Sequence, residues 1–279
     1  MANAPTTADD KTRGFYIGSF WVDNEAGELW QAQSVAVGAA VWVKLANTTI
    51  VNTIVNNQVA NTAMILADDW QTGVETGLMG WQVSQGGGAA TWVDAQQTTT
   101  IRGVVELRAN NGNVNNRCTL TLWNAGLPFI ASRQIGFTTW INLQALGDGT
   151  NPYRIRLGFG DIIPANSTTD QDNGFYFEYD SSLSANWRCK TAAAAARTIS
   201  TTSTAVVAST WMKLSARVNA AVTAIDFYIN DVLKASVAGT LPTALGQDFA
   251  PLLSITRHTS NGTLQRSIYV DSFVANYLT

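Results

Sequence analysis

Apolar and polar residues alternate with a period of two along much of the chain after residue 115. In YRIRLGF, residues 153–159, the aromatic and aliphatic side chains fall on one side of an extended backbone, while Arg154 and Arg156 fall on the other. FYFEYD, residues 175–180, repeats this pattern. Because successive side chains of a strand point to opposite faces of a sheet, the alternation predicts strands with one buried face.

WMKLSARV and AIDFYIN, residues 211–218 and 224–230, alternate in the same way. Asn230 and Asp231 both tolerate positive φ and predict a tight hairpin turn. The alanine run in TAAAAARTI, residues 191–199, is too short to nucleate a helix, so we expect a strand end or a loop there. Further strands are expected at 117–123, 134–144, 186–191, 197–207, 251–257 and 266–277. Strands at this spacing predict an all-β fold with two antiparallel sheets packed face to face.

The beginning of the chain has a different pattern. Short alternating segments within residues 15–45 are joined by the turn DNEAG, which predicts a small β-hairpin module with exposed aromatic residues over residues 1–47. About 45 residues bury too little surface to be stable alone, so this module needs another copy of the chain or a larger body. The Asn- and Thr-rich residues 48–63 are expected to form an extended connector, and residues 64–279 the two-sheet domain.

The charge composition limits the classes of partner. Charged residues make up 13% of the 279 residues and the net charge is −3, without a basic run, so we expect neither nucleic acid nor anionic membranes as partners. The start of the chain lacks a signal-peptide pattern, and no apolar run reaches the ~20 residues that span a bilayer. Cys118 and Cys189 have no metal-site spacing; we expect free thiols, and a disulfide between them stays open.

GFYIGSFWVD at residues 14–23 and the later GAAVWV resemble a short module of tailed-bacteriophage fibre and virion proteins. In such proteins the module sits in oligomeric, often trimeric, virion appendages. The resemblance implies assembly into virions inside the host cytoplasm, with a homotrimer and other virion proteins as partners. The aromatic residues that we assign to this attachment or oligomer interface are Phe15, Phe20, Trp21, Trp30 and Trp42.

The remainder of the chain resembles a concanavalin A-like lectin/glucanase jelly roll. The segments that carry the resemblance are RGVVELRANNG, RIRLGFGD, NGFYFEYD, NWRCKT, TWMKLSARVN, IDFYINDVLKAS and RSIYVDSFVA. The resemblance implies a two-sheet antiparallel jelly-roll sandwich that follows the small N-terminal module.

Glycosidases with this fold resemble one another in a strand motif, E-x-D-x-E or E-x-D-x-x-E. Glu178 and Asp180 supply two of the carboxylates, but the third position holds Ser182 or Leu183. Retaining hydrolysis needs both a nucleophile and an acid, so we expect no catalysis. Ion pairs to the arginines of residues 153–159 are the favoured reading of the two carboxylates, and contact with a sugar is the alternative.

Several other residues are candidates for ligand binding. Trp187 and Tyr176 are the candidates to stack on a sugar ring and join Glu178 and Asp180 in a carbohydrate site; packing at the rim of the sandwich is the favoured alternative. The single histidine, His258, is expected in a solvated loop without a catalytic role. A calcium site formed by Asp161, Asp170 and Asp172 stays open, with a plain acidic turn as its alternative, and no cofactor is expected.

Together these observations predict a non-enzymatic protein on the surface of a tailed-phage virion, such as a fibre, a spike or a capsid decoration. Its jelly roll would adhere to glycans of the host surface. A capsid cement protein without a ligand is the alternative, and a polysaccharide depolymerase is a more remote one.

Overall fold

The computed structural model describes residues 5–8, 11–13, 20–23, 28–46, 63–68, 81–92, 103–110, 115–122, 131, 134–244, 246–258 and 264–278. The chain divides into two compact units, Met1–Ala63 with Thr279, and Met64–Leu278. The connector predicted at 48–63 lies outside the described residues except for Ala63. Within the described ranges, no helix has the length and apolar character that a membrane crossing requires.

The first unit contains a three-stranded antiparallel sheet in the order β1-β2-β3. A short 3-10 helix precedes it, and the elements are Lys11–Arg13, β1 (Phe20–Asp23), β2 (Glu28–Ser34) and β3 (Val41–Ala46). Trp21 of β1 pairs with Trp30 of β2 through the backbone. The Trp30 and Trp42 side chains are half-buried, whereas Phe15 lies outside the described residues. Of Phe20, only the backbone is described. The interface role of these aromatics stays a prediction.

The described elements of the second unit are β-strands, and they form two sheets. Their bounds are β4 (Ala63–Asp68), β5 (Gln82–Gly86), β6 (Gly88–Trp92), β7 (Val105–Ala109), β8 (Arg117–Thr121), β9 (Gln134–Leu143), β10 (Tyr153–Gly160), β11 (Gly174–Asp180), β12 (Asn186–Ala193), β13 (Ala196–Ala205), β14 (Trp211–Val218), β15 (Ala224–Ile229), β16 (Val232–Ala238), β17 (Ala250–Arg257) and β18 (Arg266–Leu278).

The sheets have seven and eight strands. The seven-stranded sheet has the order β13-β12-β11-β10-β17-β8-β5. The eight-stranded sheet has the order β16-β15-β14-β9-β18-β7-β6, with β4 also paired to β18. The strand pairs with a recorded register inside both sheets are antiparallel. This architecture confirms the predicted two-sheet jelly-roll sandwich.

One core lies between the two sheets, and the alternation read from the sequence points the apolar side chains into it. Tyr153, Ile155, Leu157 and Phe159 are all 0% exposed. Phe137 of β9 stacks on Phe273 with ring centroids 5.7 Å apart. It also meets Phe159 edge to face at 5.6 Å. Such aromatic pairs add about 0.5 to 1.5 kcal/mol each beyond their burial, so this cluster is a main source of stability.

Two hairpin turns follow the sequence predictions. Asn230 and Asp231 have φ values of 49° and 63°, so they form the tight turn between β15 and β16. Ala194 and Ala195 also have positive φ, 48° and 66°, and they join β12 to β13. The alanine run is therefore a strand end and a turn, as predicted. A left-handed conformation costs a non-glycine residue about 1 to 2 kcal/mol, so the surrounding hydrogen bonds must hold this turn.

Candidate functional site

Glu178 is the centre of an ion-pair network on the outer face of the seven-stranded sheet. Its Oε1 lies 3.0 Å from Arg188 Nη1, and its Oε2 lies 3.3 Å from Arg156 Nε and 3.4 Å from Lys190 Nζ. The Glu178 side chain is 0% exposed. Arg156 and Glu178 are direct cross-strand partners, and so are Glu178 and Arg188. Antiparallel register therefore brings one carboxylate between cations of β10 and β12.

Asp180 forms a second ion pair one step along the same strands. Arg154 is its cross-strand partner and donates from Nε to Asp180 Oδ2 at 2.6 Å. The sequence-based prediction of cross-strand ion pairs between β10 and β11 is thus confirmed. His258 Nε2 lies 3.0 Å from Asp180 Oδ1, and the His258 side chain is only 14% exposed. The prediction of a solvated histidine is wrong, because this side chain lies against a buried carboxylate.

The connection between β10 and β11, residues 161–173, folds back over this network, and we call it the cover segment. The carbonyl of Ser167 accepts hydrogen bonds from the guanidinium groups of Arg154 and Arg156. Arg117 Nη1 donates to the Ala165 carbonyl at 3.0 Å. The arginines of two strands therefore hold the cover segment against the sheet, where the central strands β10 and β11 are buried on their outer face as well as on their inner one.

Asp170 of the cover segment adds a carboxylate to the network. Lys190 Nζ donates to its Oδ2, Tyr176 donates its hydroxyl to Oδ1, and Arg156 Nε lies 3.6 Å away. Burial by itself raises the pKa of Asp170, but the charges of Lys190 and Arg156 and the hydrogen bonds lower it to about 2. Asp180 behaves likewise, because a hydrogen bond from His258 and the charge of Arg154 outweigh burial and lower its pKa to about 2.

The structure places the predicted carbohydrate residues in this covered region and in the core. Trp187 is 0% exposed and packs edge to face against Phe177, with ring centroids 6.0 Å apart. The prediction that Trp187 stacks on a sugar is therefore wrong, since it points between the sheets. Tyr176 is also 0% exposed, and burial raises the pKa of its hydroxyl. Glu178 and Asp180 are brought together, but neither carboxylate reaches the surface.

The other candidate groups have structural partners. Asp161 accepts hydrogen bonds from the backbone N–H of Asp172 and from the Asn173 amide, at 2.9 and 2.8 Å, so this segment is a hydrogen-bonded acidic turn. Over the described ranges, no group of three or more His, Cys, Asp or Glu side chains could hold a metal ion. Cys118 and Cys189 are buried free thiols rather than a disulfide. Burial raises the pKa of the Cys118 thiol to about 12, so it is not a reactive group.

The outer face of the eight-stranded sheet carries a hollow of about 300 Å³, which we call the groove. Two cross-strand rows form it: Asn276, Gly136 and Arg217 in one, and Thr138, Ser215 and Tyr228 in the other. A Cβ on Gly136 would lie 2.8 Å from the Ala216 carbonyl oxygen, so only glycine fits there. The groove exists because short side chains occupy the middle of both rows.

Larger polar and aromatic side chains border the groove. Arg217 lies over the Tyr228 ring, with its Cζ 5.1 Å from the ring centroid, and its Nη2 donates to the Tyr228 hydroxyl at 2.8 Å. Asp231 lines the groove and accepts a 2.7 Å hydrogen bond from Lys213. Trp140 is not a lining residue; it lies two positions along β9 from Thr138, is the cross-strand partner of Lys213 and is 38% exposed.

The sequence carries a signal for the groove in the parity of its outward-facing strand positions. The alternation of residues 211–218 and 224–230 already assigns Ser215, Arg217 and Tyr228 to an outward face. Residues 134–144 place Trp140 on the same side as Thr138, because the two positions differ by two. The sequence pattern does not show that this outward face is exposed to solvent. Its exposure depends on which sheet each connection between strands covers.

Comparison with known proteins supports the fold. A family model described as "SO2946-like, C-terminal domain" matches residues 101–271. The crystal structure of the protein of unknown function SO2946 from Shewanella oneidensis MR-1 is similar, with a TM-score of 0.52, 11% identity, and coverage of 78% of this chain and 87% of that one. Peanut lectin bound to a 9mer peptide gives a TM-score of 0.51 at 10% identity, covering 78% and 98% of the two chains.

A glycoside hydrolase family protein (Rv0315 ortholog) from Mycobacterium thermorestibile gives a TM-score of 0.50 at 13% identity, covering 76% of this chain and 100% of that one. No curated protein matches the sequence. At identities this low the solved structures show a shared fold alone. The family model, in contrast, spans more than half of the 279 residues. The chain therefore belongs to the SO2946-like family through its C-terminal domain.

Proposed function

We propose that this protein is a non-enzymatic surface protein of a tailed-phage virion whose jelly roll binds glycans of the host surface. The observation that carries the glycan-binding part is the groove on the outer face of the eight-stranded sheet. Its volume, about 300 Å³, is at the lower end of the range for small-molecule sites. The fold, shared with peanut lectin, is compatible with this role but does not establish it.

The lining of the groove suits a sugar. A pyranose ring presents hydroxyl groups at its edge and an apolar C–H face. Thr138 and Ser215 offer hydroxyl groups, and Asn276 offers an amide that both donates and accepts. Tyr228 in the lining offers aromatic surface for the apolar face, and so does Trp140, which lies outside the lining and two residues along β9 from Thr138. These groups are exposed or half-buried, so a ligand reaches them without a rearrangement of the sheet.

The covered face of the seven-stranded sheet supports a non-enzymatic role. Glycoside hydrolysis needs two carboxyl groups that contact the sugar, one as acid and one as nucleophile or base. Glu178 and Asp180 are 0% exposed and each is engaged by cations. The cover segment separates both from solvent. We infer that this carboxylate pair stabilises the fold and performs no hydrolysis.

The virion setting rests on the resemblance of the N-terminal module to phage fibre and virion proteins. We infer that the three-stranded sheet of the first unit attaches the protein to other virion components and forms an oligomer, with a trimer as the expected state. Several copies on one particle would raise the avidity for a dense glycan surface without any new contact. Particles assembled with a chain that lacks residues 1–47 should not carry the protein; particles that retain it would contradict this assignment.

A glycan array with the full-length protein tests the adhesive function. We expect reproducible binding of host-surface oligosaccharides that Trp140→Ala weakens about tenfold, because the loss of one aromatic contact is worth about 1 to 2 kcal/mol. Leu183→Ala, a substitution at a 62% exposed site outside the groove lining, is the matched control and should bind as the parent does. Absence of binding to every glycan would overturn the function and favour a capsid cement role.

A further inference from the structure

Arg217 is the charged group of the groove that most constrains the ligand. Its guanidinium is fixed by the Tyr228 ring below it and by the hydrogen bond to the Tyr228 hydroxyl. Within the described part of the chain, no carboxylate lies within 4.0 Å of this guanidinium. Since one of its edges contacts Tyr228 and the side chain is exposed, its remaining N–H donors are available to a ligand.

Neither Asp231 nor Asp226, the described carboxylates of the groove and of the neighbouring strand, forms an ion pair with Arg217. Asp231, which lines the groove, is held by Lys213 at 2.7 Å. Asp226 is the cross-strand partner of Arg217 and offsets part of its charge, yet it forms no ion pair with it. The lining therefore contains one neutralised carboxylate and one guanidinium without a carboxylate partner. Such a guanidinium beside hydroxyl and amide groups favours an anionic ligand.

We propose that the groove takes a sugar that carries a carboxylate, such as a uronic or sialic acid unit of a host-surface polysaccharide; this inference rests on the proposed glycan binding. The planar guanidinium of Arg217 binds the carboxylate, a pairing that arginine makes in a fixed, two-pronged geometry. Thr138, Ser215 and Asn276 bind the ring hydroxyl groups. Trp140, two residues along β9 from Thr138, stacks on the next sugar of the chain.

The test uses the full-length protein and an array of acidic oligosaccharides, each beside its carboxyl-reduced form and beside neutral oligosaccharides of similar length. We expect acidic glycans to bind, and we expect carboxyl reduction to lower their affinity about 10- to 100-fold. This is the range for the loss of a hydrogen bond to a charged group. The Arg217→Gln protein should bind acidic glycans with an affinity lower by the same factor. It should bind the acidic glycans and their reduced forms equally. The affinity of the Arg217→Lys protein for acidic glycans should lie between those of the parent and of Arg217→Gln, since lysine keeps the positive charge but lacks the two-pronged guanidinium geometry.

Lys234→Gln is the matched control, because it removes one positive charge from the same sheet at a residue outside the groove lining and should leave affinity unchanged. Equal affinity for acidic and reduced glycans, or an Arg217→Gln protein that binds as the parent does, would overturn the acidic-sugar inference while glycan binding itself stands. Loss of binding in Lys234→Gln equal to that in Arg217→Gln would also overturn it, by showing a non-specific charge effect. A protein that binds no glycan at all would overturn both proposals.

Discussion

The outer faces of the two sheets carry similar residue types but differ in exposure to solvent. On the seven-stranded sheet, Glu178 and Arg156 are 0% and 1% exposed in their side chains and belong to a closed ion-pair network. On the eight-stranded sheet, Arg217 and Asp231 are exposed and border an open groove. Charged residues at alternate strand positions occur on both, so the residue types do not decide which face meets a ligand.

The lengths of the connections explain the difference. The connection between β10 and β11 spans residues 161–173 and is long enough to fold back across its own sheet. A Cβ on Gly160 would lie 2.2 Å from Oε1 of the buried Gln171, so this side chain would have to shift if another residue stood there. The connection between β14 and β15, residues 219–223, is a tight turn closed by Asn219 hydrogen bonds. It cannot reach the groove, so the groove is not covered from this side.

Replacement of Trp187 gives the largest expected effect and separates a core residue from a binding residue. Trp187→Ala should lower the free energy of unfolding by about 3 to 5 kcal/mol, because it leaves a cavity beside Phe177 and Tyr179. Urea unfolding followed by tryptophan fluorescence or circular dichroism measures this loss. A Trp187→Ala variant with unchanged stability but without glycan binding would contradict the core position and support the sugar contact considered from the sequence.

Removal of the central carboxylate of the covered face should be nearly as costly. Glu178→Gln leaves four cations, Arg154, Arg156, Arg188 and Lys190, without their shared partner, and we expect a loss of about 3 kcal/mol in the free energy of unfolding. Arg217→Gln, a comparable change on the open face, should stay within about 0.5 kcal/mol of the parent. Similar losses for both variants would show that the two faces do not differ in burial as described.

Acid should weaken the covered face of the seven-stranded sheet. The pKa values of Asp170 and Asp180 are lowered to about 2 in the folded chain, so their contribution to stability is complete above their unfolded pKa near 4. It is lost as the pH falls from about 4 to about 2, by roughly 1 to 2 kcal/mol for each group. Denaturant unfolding across this range measures the loss, and Asp170→Asn should reduce it; stability that stays constant down to pH 2 would contradict the network.

Of the two tryptophan replacements, Trp140→Ala has the smaller expected effect on stability. Because 38% of Trp140 is already exposed, Trp140→Ala should lower the free energy of unfolding by about 1 to 2 kcal/mol, less than Trp187→Ala. Thermal unfolding compared with Trp187→Ala tests this contrast between two tryptophans of one domain. A loss as large as that of Trp187→Ala would make Trp140 a packing residue and contradict its proposed contact with a sugar.

The sequence by itself determined the sheets, the turns and the pairing of charges along neighbouring strands. Alternation placed Tyr153 and Ile155 inward, and the opposite parity placed Arg154 and Arg156 beside Asp180 and Glu178, because side-chain direction in a strand depends only on position. The same rule put Arg217 outward. These properties are local, or they depend on two adjacent strands.

Only the tertiary structure decided which of those outward residues meets solvent. Trp187 lies in the core because the β12 register turns it toward Phe177, and the carboxylates of β11 are buried because the cover segment crosses them. The groove exists because Gly136 and Ser215, distant in sequence, fall on neighbouring strands of a face whose described residues Arg217 and Asn276 are exposed. Exposure depends on contacts between segments far apart along the chain, which a residue pattern of period two does not contain.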